Sequence, residues 1–558
     1  MVPTPKTRWW PVLAIAGLVA AVSVTFAAVV LGGFVGLDDG NNIFLNQKMG
    51  GLSWERISWA FGDFSSARRY LPLGWLGFSA VFTWQGLAPA GYHAASLGWH
   101  LLATVMLFAA ARNILRLEGD PGRSGCTTAL AALVAVAWAL HPMRAEAVAW
   151  ASGLLYTQAS AFALMALWLW TLRWKLSGQA GWLAGGSSLA LAASLLTYPI
   201  ALGLPVVCWL LDLAAAKSIP DAAIQTPGRL RDRIGPDLLG LGLVAGLGLA
   251  ANLFARGGNS ASFAATASLG DFGLPERGWQ ALYVWGHYLV QLVCPVGLSP
   301  VYTDLYSLHP LGREVLLTAM LSVGVLAITG WFAKRRRISP GPVMAYSVMA
   351  LPFLGLLEHP WIAHDRYAML LHPVWLVAGA RWLQRVKAPG IQHGVSLALL
   401  VLIATGAAQA RSLVSVWKDQ WTVDARLQQT LPRDAWAGYY LGSVPVSVLF
   451  LEGRFTAIGP QLDRAEALSP GWSAASVRRE YAGLIRQHEE FLRQNWPGRT
   501  VAPLAVLHFL HGKSAEGRRD WITARAHFEA ALRTAADFAE ARREMAWCDR
   551  RLSGPSGK

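Results

Sequence analysis

The stretch PVLAIAGLVAAVSVTFAAVVLGG, from Pro11 to Gly33, holds no ionisable residue. As a helix it crosses the ~30 Å of a bilayer's hydrocarbon core, which takes about 20 residues. It is too long for a cleaved leader and lacks a small-residue cleavage end, so it reads as an anchor. Comparable apolar runs occupy residues 93–111, 127–140, 153–172, 181–211, 236–254, 279–296, 315–333, 343–357, 369–380 and 395–408. Lipid cannot satisfy free backbone groups, so each is expected to be helical.

Composition agrees. Only 15% of the 558 residues are charged, against roughly 25% in soluble chains. Charge is sparse up to residue 410 and dense from 411 to 558. The expected fold is therefore all-α: a polytopic transmembrane bundle in residues 1–410, with a soluble helical domain in residues 411–558. The 27 Trp suit membrane interfaces. The net charge of +15 reports topology rather than nucleic acid. Basic clusters at Lys6 and Arg8, at Arg112, Arg116 and Arg123, at Lys217 to Arg233, and at Lys334 to Arg337 are expected to stay cytoplasmic. That places the N-terminus inside and the C-terminal domain outside, which needs an odd number of spans. Eleven spans fit if 181–211 is one broken segment. Two short helices there make twelve, and a further span thirteen. The four cysteines show no metal-ligand spacing.

Ionisable residues gather in the outer loops. Leu37-Asp38-Asp39-Gly40-Asn41-Asn42 leads to Asn46 directly after the first span. Two adjacent carboxylates at a membrane surface repel and lose hydration. That fits a general base, a pair holding a divalent cation, or a solvated turn. The rest of the first outer loop, residues 34–92, interleaves Trp54, Trp59, Trp75 and Trp84 with Arg56, Arg68 and Arg69. Its apolar spacing predicts amphipathic helices in the headgroup layer, with Arg68 or Arg69 free to meet a lipid phosphate or to act as plain anchors. Further candidates are His141, Arg144 and Glu146, then Asp365 and Arg366. Ionisable groups near a bilayer are functional candidates by default. In the tail, Gly512, Ala524, Phe528 and Ala531 have the small–large spacing of a tetratricopeptide-like hairpin over about 507–540. Such hairpins bind partners.

The order Asp38-Asp39-Gly40 with Asn46, Gly51-Leu52-Ser53-Trp54-Glu55, His93 and His100, His141-Pro142, Glu146-Ala147-Val148-Ala149-Trp150 and Asp365-Arg366-Tyr367 resembles the bacterial relatives of transmembrane-and-tetratricopeptide-repeat proteins. Those belong to the GT-C superfamily of membrane glycosyltransferases. The resemblance implies a polyprenyl-phosphate sugar donor, a protein or glycan acceptor on the extracytoplasmic face of a bacterial inner membrane, and inversion at the anomeric carbon. It implies a first-loop aspartate as base, with Asp39 the first choice and Asp38 its neighbour. Arg69, Arg68 and Arg144 would meet the donor phosphate. His141, Glu146, Asp365, Arg366, Tyr198 and Asn46 would line the cavity. A divalent cation, Mg2+ or Mn2+, would sit on Asp38 and Asp39 if one is used. The chain departs from the family in three places. Ser152-Gly153-Leu154-Leu155 stands where relatives carry a charged stretch, Tyr198 stands where they carry Lys, and Leu71, before Pro72, stands where a His is common. These departures keep open a catalytically inactive scaffold whose tail binds protein partners. A transporter of lipid-linked sugars is disfavoured, because no repeat relates two halves of the chain.

Overall fold

The computed structural model describes residues 9–66, 69–117, 124–176, 179–218, 228–258, 273–302, 313–356 and 363–553. Arg68 lies outside them. Among the described residues every regular element is a helix. Seven helical stretches of the described residues are long and apolar enough to cross a membrane: Trp10–Leu31, Pro89–Arg116, Ala151–Leu172, Ala180–Thr197, Asp237–Gly257, Val315–Lys334 and Gly390–Val416. Their outward faces carry large apolar side chains such as Leu243, Leu247, Phe254, Leu317, Met320, Leu397 and Leu400. A contiguous apolar belt of that kind is stable against lipid and not against water.

The bundle has two ends, fixed by its polar contacts. α1 (Trp10–Phe26) runs through a 3-10 turn to Gly33, where the first loop begins. That loop carries α2 (Trp54–Gly62) and α3 (Pro72–Gln85). α2 is amphipathic and capped by Ser53, whose hydroxyl accepts from Arg56 N–H. α4 (Pro89–Arg116) starts beside Gly33, its His93 Nε2 lying 3.1 Å from the Gly33 carbonyl. At its other end Arg112 reaches Thr128 at the start of α5 (Ser124–Ala139). The chain then turns through short α6 (Arg144–Ala149) into α7 (Leu154–Leu172). α8 (Ala180–Thr197) and α9 (Leu204–Ser218) are separate helices, broken at Tyr198. α10 (Gly228–Gly258) follows. At the far end, Arg173 after α7 pairs with Asp212 of α9 at 2.6 Å and with Asp237 of α10.

α11 (Leu274–Val293) is different. Arg277 in its first turn donates to Leu356 O, and Leu292 O near its end lies 3.3 Å from His141 Nε2. Both ends of α11 thus touch the near end, while its middle packs along α12 (Arg313–Lys334), where Ser322 Oγ donates to Leu282 O at 2.7 Å. Its pattern explains this: Arg277, Ala281, Val284, Tyr288 and Gln291 form one buried stripe, while Leu274, Val290 and Val293 stay exposed. α12 (Arg313–Lys334), α13 (Gly341–Ala350), α14 (His372–Arg385) and α15 (Pro389–Val416) complete the bundle.

α15 continues past residue 411, and the tail proper starts at Asp419, which forms a capping box with Thr422 on α16 (Gln420–Thr430). α17 (Ala435–Leu441), α18 (Ser443–Leu451), α19 (Ile458–Leu468) and α20 (Ala475–Asn495) follow. α21 (Pro503–Gly517) and α22 (Trp521–Thr534) form an antiparallel hairpin, closed by α23 (Ala539–Ser553). A Cβ at Gly512 would lie 2.5 Å from Phe528 Cε1, so only glycine lets the aromatic ring seat between the helices. The tail docks on the near end. Gly33 N donates to Lys418 O at 2.7 Å, Gly36 N donates to Gln420 Oε1 at 2.7 Å, and Arg426 donates to Leu298 O.

Candidate active site

The loop after α1 returns on itself before it reaches the tail. Asp39 drives this. Its Oδ2 accepts from Val35 N at 2.9 Å, and its Oδ1 accepts from Ser152 N at 2.9 Å and Ser152 Oγ at 2.6 Å. Asn42, in the wide helical turn Gly40–Phe44, donates to the same Ser152 hydroxyl at 3.2 Å. Asp39 is therefore fully buried and fully engaged. Burial raises its carboxyl to about 7, against the lowering effect of those three hydrogen bonds.

Asp38 is placed differently. Its side chain is exposed at the surface, although protein crowds around it. The surrounding protein raises its carboxyl, and the positive charges of Arg366 and Arg69 pull the other way. Of two adjacent aspartates, one is a structural tie and one faces cations.

Glu146 lies on short α6 and meets the turn Asp365–Met369. Its Oε2 accepts from Arg366 N at 2.8 Å, and its Oε1 accepts from the Arg366 guanidinium. The guanidinium lies 5.1–5.3 Å from the ring centroids of Trp150, Tyr156 and Tyr367, a desolvated cation–π cage. Tyr156 in turn packs on Tyr198 with centroids 4.4 Å apart, and Arg69 lies 5.2 Å from the Tyr198 ring. Arg69, Tyr198 and Tyr367 line a cavity of about 420 Å³ together with Asn252, Arg256 and Phe353. Thus Asp38, Asp39, Glu146, Arg366, Arg69 and Tyr198 converge, although more than 300 positions separate the first from the fourth.

Three candidates lie elsewhere. Arg144 is fully buried behind the cavity, with Nη2 3.0 Å from His372 Nδ1 and its guanidinium 5.6 Å from the Trp138 ring. His141 packs against His372, with centroids 4.8 Å apart. Asn46 accepts from Lys48 N and closes a local turn. Asp365 joins the two regions: its Oδ1 accepts from Tyr302 Oη at 2.8 Å, and it feels the charges of both Arg144 and Arg366.

A divalent cation shared by Asp38 and Asp39 does not fit this arrangement. Both Asp39 oxygens face N–H and O–H donors, which a cation would have to displace. Among the described residues, no group of three or more His, Cys, Asp or Glu side chains is placed to hold a metal. Sequence reasoning missed Ser152, Tyr156 and Gln420. Ser152 alone left a signal, as a small hydroxyl residue where a charged stretch was expected. A scan against protein-family models and searches of curated proteins and of solved structures find no match to this chain.

Proposed function

We propose that the chain is a membrane glycosyltransferase that moves a sugar from a polyprenyl-phosphate carrier to a hydroxyl acceptor. What carries this is Asp38, an accessible carboxylate opposite Arg69 and Arg366 at one end of a lipid-embedded bundle. Asp38 takes the proton of the acceptor hydroxyl. The acceptor oxygen attacks the anomeric carbon as the bond from that carbon to the phosphate oxygen breaks, inverting the centre. The electron pair leaves with the polyprenyl phosphate, whose negative charge Arg69 meets. Tyr198 stands at the position where the family carries Lys, and it supports the guanidinium of Arg69 on its ring. A cation thus stands on that side. Asp39 acts as a positioning residue, holding the loop through Val35 and Ser152. No step is routed through a metal.

The carrier's hydrocarbon chain finds a matching surface. An apolar groove lined by Leu107, Leu164, Val207 and Val377 runs within the bundle from Leu370 toward the far end, where Ile114, Ser339 and Arg381 line it. On this reading an odd number of spans carries a cytoplasmic N-terminus to an extracytoplasmic tail in a bacterial inner membrane. The α21–α22 hairpin, tetratricopeptide-like in its Gly512–Phe528 seat, would recruit the protein or glycan acceptor.

The test is sugar transfer in proteoliposomes with a panel of radiolabelled polyprenyl-phosphate sugars and a membrane extract as acceptor. Transfer by the wild type that vanishes in Asp38→Asn supports the assignment. Absence of transfer from folded protein across the panel favours the scaffold. That second reading draws on the apolar, buried segment Gly153-Leu154-Leu155, which replaces the family's charged stretch.

A further inference from the structure

The tail does not merely hang from α15; its hairpin is pressed against the first loop. Thr523 Oγ1 on α22 accepts from Gly51 N at 3.3 Å. Asp520, the N-cap of α22, lies 3.8 Å from Arg56 on α2. A Cβ at Gly86 would sit 3.2 Å from Ala526 Cβ. Two histidines lie buried at this seam. His508 on α21 and His527 on α22 approach Nδ1 to Nδ1 at 3.3 Å, with side chains 4% and 2% exposed. The His527 ring also packs against Phe82 on α3, with centroids 6.2 Å apart.

A hydrogen bond between two ring nitrogens needs one donor and one acceptor, so the contact holds while at least one ring is neutral. Adding a proton to each turns it into two cations in contact. The surroundings do not compensate. Facing the pair are Arg56 from α2, Arg518 from the turn before α22, and His511 on α21. From α3 come Phe82 and Thr83, which carry no charge. Asp520 is engaged with Arg56. Glu452 and Arg533 share the rim of an adjoining cavity of about 260 Å³, and Arg533 pairs with Glu529. Phe34, Val35, Gly36 and Phe44 of the first loop form the other wall of that cavity. Opening the seam therefore opens the flank of the loop that carries Asp38.

We infer that His508 and His527 form a proton-operated latch: when neutral they keep the α21–α22 hairpin closed with His527 seated on Phe82, and when protonated they part the two helices and lift the hairpin from the first loop. The sign follows from burial. Burial holds His508 down to about 3 and His527 well below its ordinary range, with the other positive groups adding to the effect. An exposed histidine titrates at about 6.5. The docked form is therefore fully favoured above about 6.5 and loses ground as pH falls. The loss reaches about tenfold in the docking equilibrium per pH unit per histidine.

The test is hydrogen exchange of the full chain in detergent, corrected for intrinsic rates, from pH 7.5 to 5. The segments to follow are residues 48–56, 80–88 and 520–530, with α23 as an internal reference. In the wild type, seam opening is expected to increase below pH 6.5 with a limiting slope near hundredfold per unit, while α23 stays protected. His508→Gln and His527→Gln each should reduce the slope to about tenfold. Wild-type protection at pH 5 equal to that at pH 7.5 would overturn the latch. So would a wild-type slope retained in both variants. If one variant is already undocked at pH 7.5, the slope of the other decides.

Discussion

Ser152 holds Asp39 twice, through its amide at 2.9 Å and its hydroxyl at 2.6 Å, across 113 positions of sequence. These two bonds fasten the first loop to the start of α7. They also separate the roles of two neighbouring aspartates, since Asp38 is left facing Arg366 and Arg69.

Asp38→Asn is expected to lower sugar transfer by about 10²–10⁴-fold, the usual worth of a general base. Its thermal stability in detergent should stay equal to the wild type or rise, because a carboxylate facing desolvation is removed. Asp39→Asn is expected to lose both activity and stability, since its amide nitrogen would face the Val35 or Ser152 donors. Proteoliposome transfer assays beside melting curves distinguish the two. Equal melting temperatures for Asp39→Asn and wild type at pH 6 would contradict the structural tie.

The pH dependence has a definite sign. Asp39 is raised in the folded chain to about 7, above the ordinary aspartate value of about 4. Its contribution to stability is complete below about pH 4 and is lost as pH rises through 7. The melting temperature of wild type minus that of Asp39→Asn should therefore fall between pH 5 and 7 and level off above. A difference that grows with pH would contradict the assignment.

Glu146 and Arg366 are both almost fully buried and satisfy each other. Glu146→Gln leaves a buried guanidinium without its carboxylate and should cost about 3–5 kcal/mol. Glu146→Gln with Arg366→Met should recover a good part of that loss. Unfolding monitored by tryptophan fluorescence in detergent measures both, and a double variant as unstable as the sum of the singles would show the pair to be uncoupled.

Gly512→Ala places a methyl group against Phe528. Overpacking of this kind costs about 1–3 kcal/mol. Hydrogen exchange should show α21 and α22 loosening while α4 and α7 keep their protection. Phe528→Leu in the same chain should restore part of the lost protection.

The long apolar runs were legible because lipid imposes a simple rule on length and charge. Sequence reasoning grouped Asp39, His141, Glu146, Asp365 and Arg366 because buried ionisable groups beside a bilayer need one another, but His141 packs against His372 instead. α11 carries a buried stripe that its apolar count does not reveal, because Arg277, Gln280 and Gln291 recur at helical spacing and face inward. Counting apolar residues hides that stripe. The seam between tail and loop left no trace, since Gly51 with Thr523 and Gly36 with Gln420 are pairs whose spacing, 472 and 384 positions, obeys no local period. The division of labour between Asp38 and Asp39 depends on which one Ser152 reaches, and adjacency in sequence says nothing about that.

The knot at the opposite end bears on how the chain is made. Arg173 finds Asp212 only 39 residues later and Asp237 only 64 residues later. Until both have emerged from the ribosome, the C-terminal end of α7 carries an unneutralised guanidinium. The knot can therefore close only after α9 and α10 have been made, so the far end of α7 reaches its final pairing late in synthesis.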